Sequence, residues 1–123
     1  MEQKKIDKIE KYIHQEYTIH LDTAAPWEGK TLSNSEFKKR LKFSFNSFPD
    51  MNFEITSAIA DENHVAITWI LSETNLGMIG EYPPTKKAIK TNGFTIYHFK
   101  DNLINGHTQV FDGVTVMKQL GFI

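Results

Sequence analysis

The sequence lacks cysteine altogether, over a length of 123 residues. This absence excludes disulfide bonds, metal sites built on thiolates and a cysteine nucleophile. The sequence also lacks a long apolar run, and no segment approaches the roughly 18 residues that a membrane-spanning helix requires. The N-terminal segment MEQKKIDKIEKY is charged throughout and has no apolar core of a signal peptide. We therefore expect a protein of the cytoplasm that has no membrane partner.

An excess of charge of one sign is missing as well. Fourteen Lys and Arg residues stand against fifteen Asp and Glu residues, which gives a net charge of −1. Because binding to a polyanion requires a basic surface, no nucleic-acid partner is expected. Hydrophobic residues (40%) and charged residues (24%) have the proportions of a soluble globular protein, and the length fits a single domain over residues 1–123.

Two helices are predicted in the first half of the chain. Ile6, Ile9 and Ile13 recur at helical spacing between charged residues, which indicates an amphipathic N-terminal helix. The segment YTIHLD that follows is predicted to be extended. Ser33 and Glu36 have the spacing of a capping box and begin the second helix. Its apolar stripe consists of Phe37, Leu41, Phe45 and Phe48. The proline directly after this stripe ends the helix.

The hydrophobic pattern changes period after residue 50. Alternating residues predict a strand at 53–59, and HVAITWILSET, which is apolar on both faces, predicts a central strand covered on each side. KKAIKTNGFTIYHF and LINGHTQVF predict two further long strands, and GVTVMKQLGFI predicts a short helix that Gly121 ends. Two helices followed by four antiparallel strands form an α+β layout.

The hairpin around KDN allows two registers. A two-residue loop pairs Lys100 with Leu103, whereas a three-residue loop with a left-handed Asn102 pairs Phe99 with Leu103 and His98 with Ile104. The second register is preferred because it collects apolar residues on one face. That face carries Phe94, Ile96, His98, Ile104, Gly106, Thr108, Val110 and Asp112. A mostly apolar face with a hydroxyl and two titratable groups is typical of a ligand cavity.

Four segments carry a resemblance to a known family. FPDMNFEI, TNLGMIGEYPPT, FTIYHFKDNLI and FDGVTVMKQLG stand in the order and spacing of the SnoaL-like polyketide cyclases, which belong to the ketosteroid-isomerase-like, nuclear-transport-factor-two-like superfamily. The resemblance covers residues 6–121. It implies a cone-shaped, curved antiparallel sheet around a deep pocket that the N-terminal helices close. The broken, apolar segment TNLGMIGEYPPT is then a lip over that pocket.

The resemblance also suggests the site residues, although the chain departs from the family pattern in places. Asn75 stands where the family has histidine, and Gly106 and Thr108 stand where it often has Glu and Trp. Asp112 and His98 match residues of true cyclases, in which the corresponding aspartate is regarded as the acid/base catalyst of an intramolecular aldol closure.

Asp112 and His98 are therefore the predicted catalytic residues. Burial among apolar groups is expected to raise the pKa of Asp112 towards neutrality, as acid/base catalysis requires. The alternative is that Asp112 caps the terminal helix. His98 is expected to orient a carbonyl, or, in the other register, to lie on the surface.

Six further residues are predicted to contact the substrate: Tyr17, His20, Phe45, Trp69, Asn75 and Thr108. For Trp69 the alternative is packing in the core. His107 alternates to the opposite face and is predicted to be exposed or to lie at a contact between subunits. The five histidines have no metal-binding spacing, so no metal site is predicted.

Three functions follow from these residues. The first is a cofactor-independent cyclase or isomerase that acts on a small hydrophobic carbonyl compound through a buried carboxylate. The alternative is a non-catalytic module of the same fold that binds a small hydrophobic molecule. A third possibility is a homo-oligomer, a dimer through the outer face of the sheet, with an exposed row formed by Leu103, Gln109 and Phe111.

Overall fold

The computed structural model describes residues 6, 8–23 and 27–123 of the chain. It contains one six-stranded sheet and two helices. The strands are β1 (Ile13–Asp22), β2 (Thr31–Leu32), β3 (Asn52–Ala60), β4 (His64–Thr74), β5 (Ala88–Lys100) and β6 (Leu103–Phe111). The helices are α1 (Asn34–Ser47) and α2 (Gly113–Leu120), and a short 3-10 turn covers Ile9–Lys11. Among the described residues, no helix is long and apolar enough to cross a membrane.

The strands follow the spatial order β2-β1-β6-β5-β4-β3. β1 runs parallel to β6, and all other neighbours are antiparallel. The predicted α+β class with a curved sheet is confirmed. The four strands predicted to be antiparallel are so. The complete sheet is mixed and not antiparallel throughout, because β1 joins β6 in the parallel direction.

The N-terminal helix predicted through Ile13 is also wrong, because Ile13 begins β1. Residues 1–5 and 7, on which the rest of that prediction falls, lie outside the described residues. Ile6, Ile9 and Ile13 are all buried. Ile6 is helical, as predicted, whereas Ile9 lies in the 3-10 turn and Ile13 in β1. Their spacing therefore indicated burial correctly, although no single helix carries all three.

Helix α1 begins and ends where the sequence predicts. Ser33 and Glu36 form both hydrogen bonds of the capping box, and the helix ends at Ser47, just before the proline at 49. Phe37 is buried and packs edge-on against Tyr17 of β1, with ring centroids 4.7 Å apart. The core cluster consists of Ile9, Ile13, Tyr17, Ile19, Leu32 and Phe37. This helix therefore covers the β1 side of the sheet.

At its loop, the β5–β6 hairpin has the register of the two-residue loop, which was not the preferred prediction. Asp101 and Asn102 both have positive φ and form a two-residue loop, so Lys100 pairs with Leu103. A register shift around Asn105 then places His98 opposite Gly106. The predicted three-residue loop is wrong. The predicted set of residues on one face nevertheless holds, except for Ile104, which packs against the core cluster.

The two faces of the sheet differ in burial. Trp69, Thr95 and His107, on what we call the inner face, are 3%, 1% and 3% exposed, whereas Phe94 and Ile59, on the outer face, are 44% and 76% exposed. The face predicted to line the cavity is therefore the outer face. The sequence predicted that β4 is covered on both sides. This prediction is wrong for the same reason, because the outer face of β4 is not covered.

The predicted lip, residues 74–85, fastens helix α1 to the sheet. Asn75 is fully buried, and its Nδ2 donates to the carbonyls of Ser47 (3.2 Å) and Gly77 (2.9 Å) while its Oδ1 accepts from the Thr85 N–H (2.7 Å). The Leu76 and Gly77 N–H groups donate to the same Ser47 carbonyl. The lip thus satisfies a carbonyl that the helix end would otherwise leave unpaired.

Helix α2 begins at a capped aspartate. Asp112 Oδ1 accepts from the Thr115 N–H (3.0 Å) and Oδ2 accepts from the Thr115 hydroxyl. These bonds lower the pKa of Asp112, which is exposed. The prediction that burial raises this pKa is wrong, and the capping alternative describes the side chain correctly. Gly121 ends the helix with φ 85°, as predicted.

We predict that Gly77→Ala destabilises the fold. A Cβ at this position would lie 1.8 Å from the Asn46 carbonyl oxygen, so the lip and the end of α1 must separate. The free energy of unfolding in urea should fall by about 3 kcal/mol. Gly113→Ala is the matched control, because no atom lies within 4 Å of its added Cβ. Equal stabilities of the two variants would contradict this account of the lip.

We predict that Asp112→Ala lowers the urea midpoint near neutral pH, and that Asp112→Asn, which still accepts the Thr115 N–H but cannot ionise, lowers it less. Because the folded-state pKa is lowered, the stabilisation by the ionised cap is present above pH 3.8 and is lost as the pH falls below that value. A variant Asp112→Ala as stable as the original chain would show that the cap is dispensable.

Candidate functional site

A buried polar network on the inner face is centred on His107 of β6. The Tyr17 hydroxyl lies 2.5 Å from Nδ1 of the imidazole, and Asp22 Oδ2 lies 2.8 Å from Nε2. Arg40 of α1 donates from Nη2 to the same carboxylate oxygen at 3.0 Å. Tyr17, Asp22 and His107 are each at most 3% exposed. The network therefore joins β1, β6 and α1 through groups that water scarcely reaches.

The hydrogen-bond partners indicate where the protons lie. Burial raises the pKa of the Tyr17 hydroxyl, so this group keeps its proton and donates it to Nδ1. Nε2 then carries the imidazole proton and donates to Asp22, whose charge is matched by Arg40. A carboxylate that fixes the tautomer of a histidine in this way prepares the other ring nitrogen to accept a proton.

A second hydrogen-bonded chain crosses the inner face beside the network. Trp69 Nε1 donates to Thr95 Oγ1 (2.9 Å), and the Thr95 hydroxyl donates to Gln109 Oε1 (2.9 Å). The indole ring packs against Phe53 and Phe111, with centroids 5.3 Å and 6.4 Å away. Trp69 and its neighbours thus form a wall of the inner face that is aromatic on one side and polar on the side of β6. The core-packing alternative for Trp69 agrees with its burial, and its substrate contact stays a prediction.

Three of the predicted site residues lie together on the outer face. His98 Nε2 lies 3.3 Å from Thr108 Oγ1, and the His98 ring stands 4.5 Å from the ring of His20 and 5.0 Å from that of His64. Desolvation, and then the neighbouring histidines, lower the pKa of His98. A side chain at Gly106 would meet the Thr18 carbonyl at 2.5 Å and His20 Nε2 at 3.2 Å. The absence of a side chain at Gly106 therefore makes room for His20 and not for a ligand.

The remaining predicted residues are dispersed. Phe45 is half-buried on α1, Asn75 belongs to the lip, and Asp112 caps α2. Asp112 lies six residues from Gly106, the partner of His98, which is about 20 Å along an extended strand. The structure therefore does not join Asp112 and His98 to Tyr17 and Trp69 in one site.

Sequence reasoning missed three members of the network. Asp22 and Arg40 were not singled out, and His107 was predicted to be exposed, which is wrong because it is 3% exposed. The alternation of β6 did separate His107 from His98 correctly. The error was to assign the core to the wrong one of the two faces.

Two open grooves lie on the surface of the described residues. The larger, of about 410 Å³, lies on the outer face and is lined by Ile59, Ala60, Asp61, His64, Ala66, Ile96, His98 and Thr108. The smaller, of about 270 Å³, is lined by Ile70, Lys90, Thr91, Asn92, Asp112 and Thr115. Neither is lined by Tyr17 or His107. Within the described ranges, no three His, Asp or Glu side chains are grouped so as to hold a metal ion.

Known proteins of similar structure share this architecture. A candidate polyketide cyclase from Acidithiobacillus ferrooxidans has 37% sequence identity and a TM-score of 0.87, with 98% of this chain and 84% of that protein covered. A SnoaL-like polyketide cyclase from Agrobacterium tumefaciens has 19% identity and a TM-score of 0.77, over 95% of this chain and 86% of that protein. AclR, a candidate hydroxylase from Streptomyces galilaeus, has 20% identity and a TM-score of 0.76, over 96% of this chain and 71% of that protein. The last two are similar in fold alone.

The sequence itself gives the family. No curated protein matches it. The family model for the SnoaL-like polyketide cyclases, however, matches residues 1–120, which is nearly the whole chain. The chain belongs to the SnoaL-like polyketide cyclase family.

Proposed function

We propose that the protein is a cofactor-independent cyclase or isomerase that moves a proton next to the carbonyl group of a small hydrophobic substrate. The reacting groups are Tyr17 and His107, and Asp22 positions the imidazole. The observation that carries this proposal is the buried chain of hydrogen bonds from the Tyr17 hydroxyl through His107 to Asp22. Such a chain can take up a proton and return it without exchange with bulk water.

The proton transfer proceeds along this chain. The Tyr17 oxygen takes a proton from the carbon beside the carbonyl group while the Tyr17 hydroxyl proton passes to His107 Nδ1. The substrate becomes an enolate and the imidazole becomes an imidazolium, whose charge Asp22 stabilises at 2.8 Å. In a cyclase the enolate carbon then forms a bond to a second carbonyl carbon. The alkoxide produced takes a proton from Tyr17 as the imidazolium returns its own, so the chain is restored.

The surroundings of the network suit a hydrophobic substrate with a carbonyl group. Trp69, Phe53 and Phe111 form an aromatic wall on the inner face. Gln109 also lies on the inner face, and its amide oxygen accepts a hydrogen bond from Thr95. Its amide NH₂ is therefore the group that can donate to a substrate oxygen. This assignment replaces the buried carboxylate predicted at position 112 by one at position 22.

A non-catalytic binding module of the same fold is the second candidate. It is favoured by the position of the two grooves, since neither is lined by Tyr17 or His107. In that case a small hydrophobic molecule binds and leaves unchanged, and the buried network serves to stabilise the protein.

We predict that His107→Gln lowers turnover of a diketone aldol precursor at least about 100-fold, because glutamine cannot take up the Tyr17 proton. Binding of the same compound, measured by calorimetry, should change by less than about threefold. His64→Gln, on the outer face, is the control. Asp112→Asn in the same assay tests the sequence-based assignment, and loss of turnover in that variant alone would transfer the catalytic role to Asp112. Ligand binding without turnover in the original chain would support the binding module.

We also propose that two copies of the chain pair through the outer face. Neither helix covers this face, on which Phe94 and Ile59 are exposed beside the half-buried Ile96. An uncovered apolar sheet face of this kind is typical of a protein interface. The row predicted for this contact is wrong in two members, because Gln109 bonds to Thr95 and Phe111 packs against Trp69, both on the inner face.

The expected result is a dimer in sedimentation equilibrium and a monomer after Phe94→Lys, because a buried lysine ammonium without a partner disrupts an apolar interface. Glu81→Lys, at an exposed position outside the sheet, changes the charge by the same sign and should remain dimeric. A monomeric original chain at high concentration would rule out this pairing.

A further inference from the structure

Glu73, near the end of β4, is a buried carboxyl group that the proposed mechanism does not use. It pairs with Ile89 of β5 and shares the inner face with Leu71 and Trp69. The residue is 7% exposed. Its Oε2 atom is buried and has no hydrogen-bond partner among the described residues. A carboxyl oxygen in this situation is uncommon in folded proteins, and a ligand is one of the few explanations for it.

Thr91, on the neighbouring strand, has the same property. It pairs with Leu71, so it stands diagonally opposite Glu73 on the same face. Thr91 is 6% exposed, and its hydroxyl oxygen also has no partner among the described residues. Diagonal neighbours in an antiparallel pair lie about 7–8 Å apart at the backbone, which a glutamate side chain can span. Two unpartnered oxygen atoms therefore occur within reach of one small molecule.

The protonation of Glu73 determines what that molecule can be. Burial, and then the nearby carboxylate of Asp50, raise the pKa of Glu73 to about 7. Asp50 is exposed, accepts a hydrogen bond from the Thr74 N–H at 2.6 Å and has a lowered pKa. Asp50 therefore stays ionised while Glu73 carries a proton in slightly acid solution. A neutral carboxyl group donates one hydrogen bond and accepts others.

The charges nearby exclude an anionic ligand. The ionised Asp50 repels an anion. An anion bound here would also lie against the buried carboxyl group of Glu73, which has no positive charge to offer it. Leu71 and Ile89 are buried beside Glu73 and provide no polar contact. The protonated Glu73 carboxyl carries no charge that would attract a cation, so the ligand is uncharged and small, with one oxygen that accepts and one that donates.

We infer that Glu73 and Thr91 form a second binding site on the inner face, for an uncharged compound that carries a carbonyl group and a hydroxyl group on neighbouring carbons. The Glu73 carboxyl donates to the carbonyl oxygen of the ligand. The ligand hydroxyl donates to Thr91 Oγ1.

This site is separate from the His107 network. His107 pairs with Tyr97, which pairs with Val65 of β4. Glu73 stands eight residues further along the same strand, or about 26 Å if the strand were straight. The inference therefore goes beyond the proposed function and does not depend on the Tyr17–His107 relay.

Hydroxyacetone is the probe for this site, because it has both groups and only five heavy atoms. Titration of the ¹⁵N-labelled chain should produce saturable shifts in the amide signals of residues 71–75 and 89–91 at about pH 6. The affinity should fall at least about tenfold at about pH 8.5, where Glu73 is ionised. Butanone, which lacks the hydroxyl group, should bind more weakly at either pH.

Two nearly isosteric variants make the test specific. Glu73→Gln retains a donor that cannot ionise, so hydroxyacetone should bind to it with an affinity that no longer changes with pH. Thr91→Val should weaken binding at least about fivefold at both pH values. Tyr17→Phe, which removes the relay and keeps the His107–Asp22 hydrogen bond, should bind the probe as the original chain does, which separates a failure here from a failure of the proposed function.

The inference is overturned if the original chain shows no saturable shift at about pH 6. It is also overturned if the probe binds equally to the Thr91→Val variant, or if the pH dependence persists after Glu73→Gln.

Discussion

The hydrogen bond between His107 and Asp22 is the interaction on which the rest of the structure depends. Asp22 is 1% exposed, and a buried carboxylate destabilises a protein by several kcal/mol unless cations and donors surround it. His107 from β6 and Arg40 from α1 supply these groups. One carboxylate at the end of β1 thereby determines which strand and which helix lie next to it.

The parallel pairing of β1 with β6 follows from the same constraint. Ile19 of β1 pairs with His107 itself, so the strand carries Tyr17 and Asp22 past the two nitrogens of one imidazole ring. Arg40 then holds α1 across the inner face, and the lip holds the other end of that helix through Asn75. The helix is fixed at two points, one electrostatic and one through backbone carbonyls. The chemistry proposed for Tyr17 and the closure of the fold therefore use the same atoms.

The sequence predicts a large part of this fold. The capping box at Ser33, the end of α1, the four C-terminal strands and the family all follow from local patterns, because each depends on residues close together in the chain. The composition of the β5–β6 face was also predicted. Strand alternation shows which residues share a face, but it does not show which face meets the core when both faces carry apolar residues. That ambiguity placed the cavity on the side of His98.

The site itself was beyond a single sequence for a related reason. His107 stands 85 residues from Asp22, and Arg40 stands 18 residues from it, so no local pattern connects them. The physical expectation of a carboxyl group with a pKa raised by burial was correct in kind, but the residue that shows it is Glu73 and not Asp112. Both are acids near the end of a strand. Only their surroundings, apolar for one and hydrogen-bonding for the other, distinguish them.

The most direct test of this account is the tautomer of His107, measured by the ¹⁵N chemical shifts of its two ring nitrogens in the folded protein at neutral pH. The account predicts that Nε2 carries the proton and that Nδ1 is an acceptor, with the proton of the Tyr17 hydroxyl giving a signal protected from exchange with water. A proton on Nδ1 and none on Nε2 would contradict it, because Asp22 would then have no donor from the imidazole and Tyr17 could not pass its proton to His107.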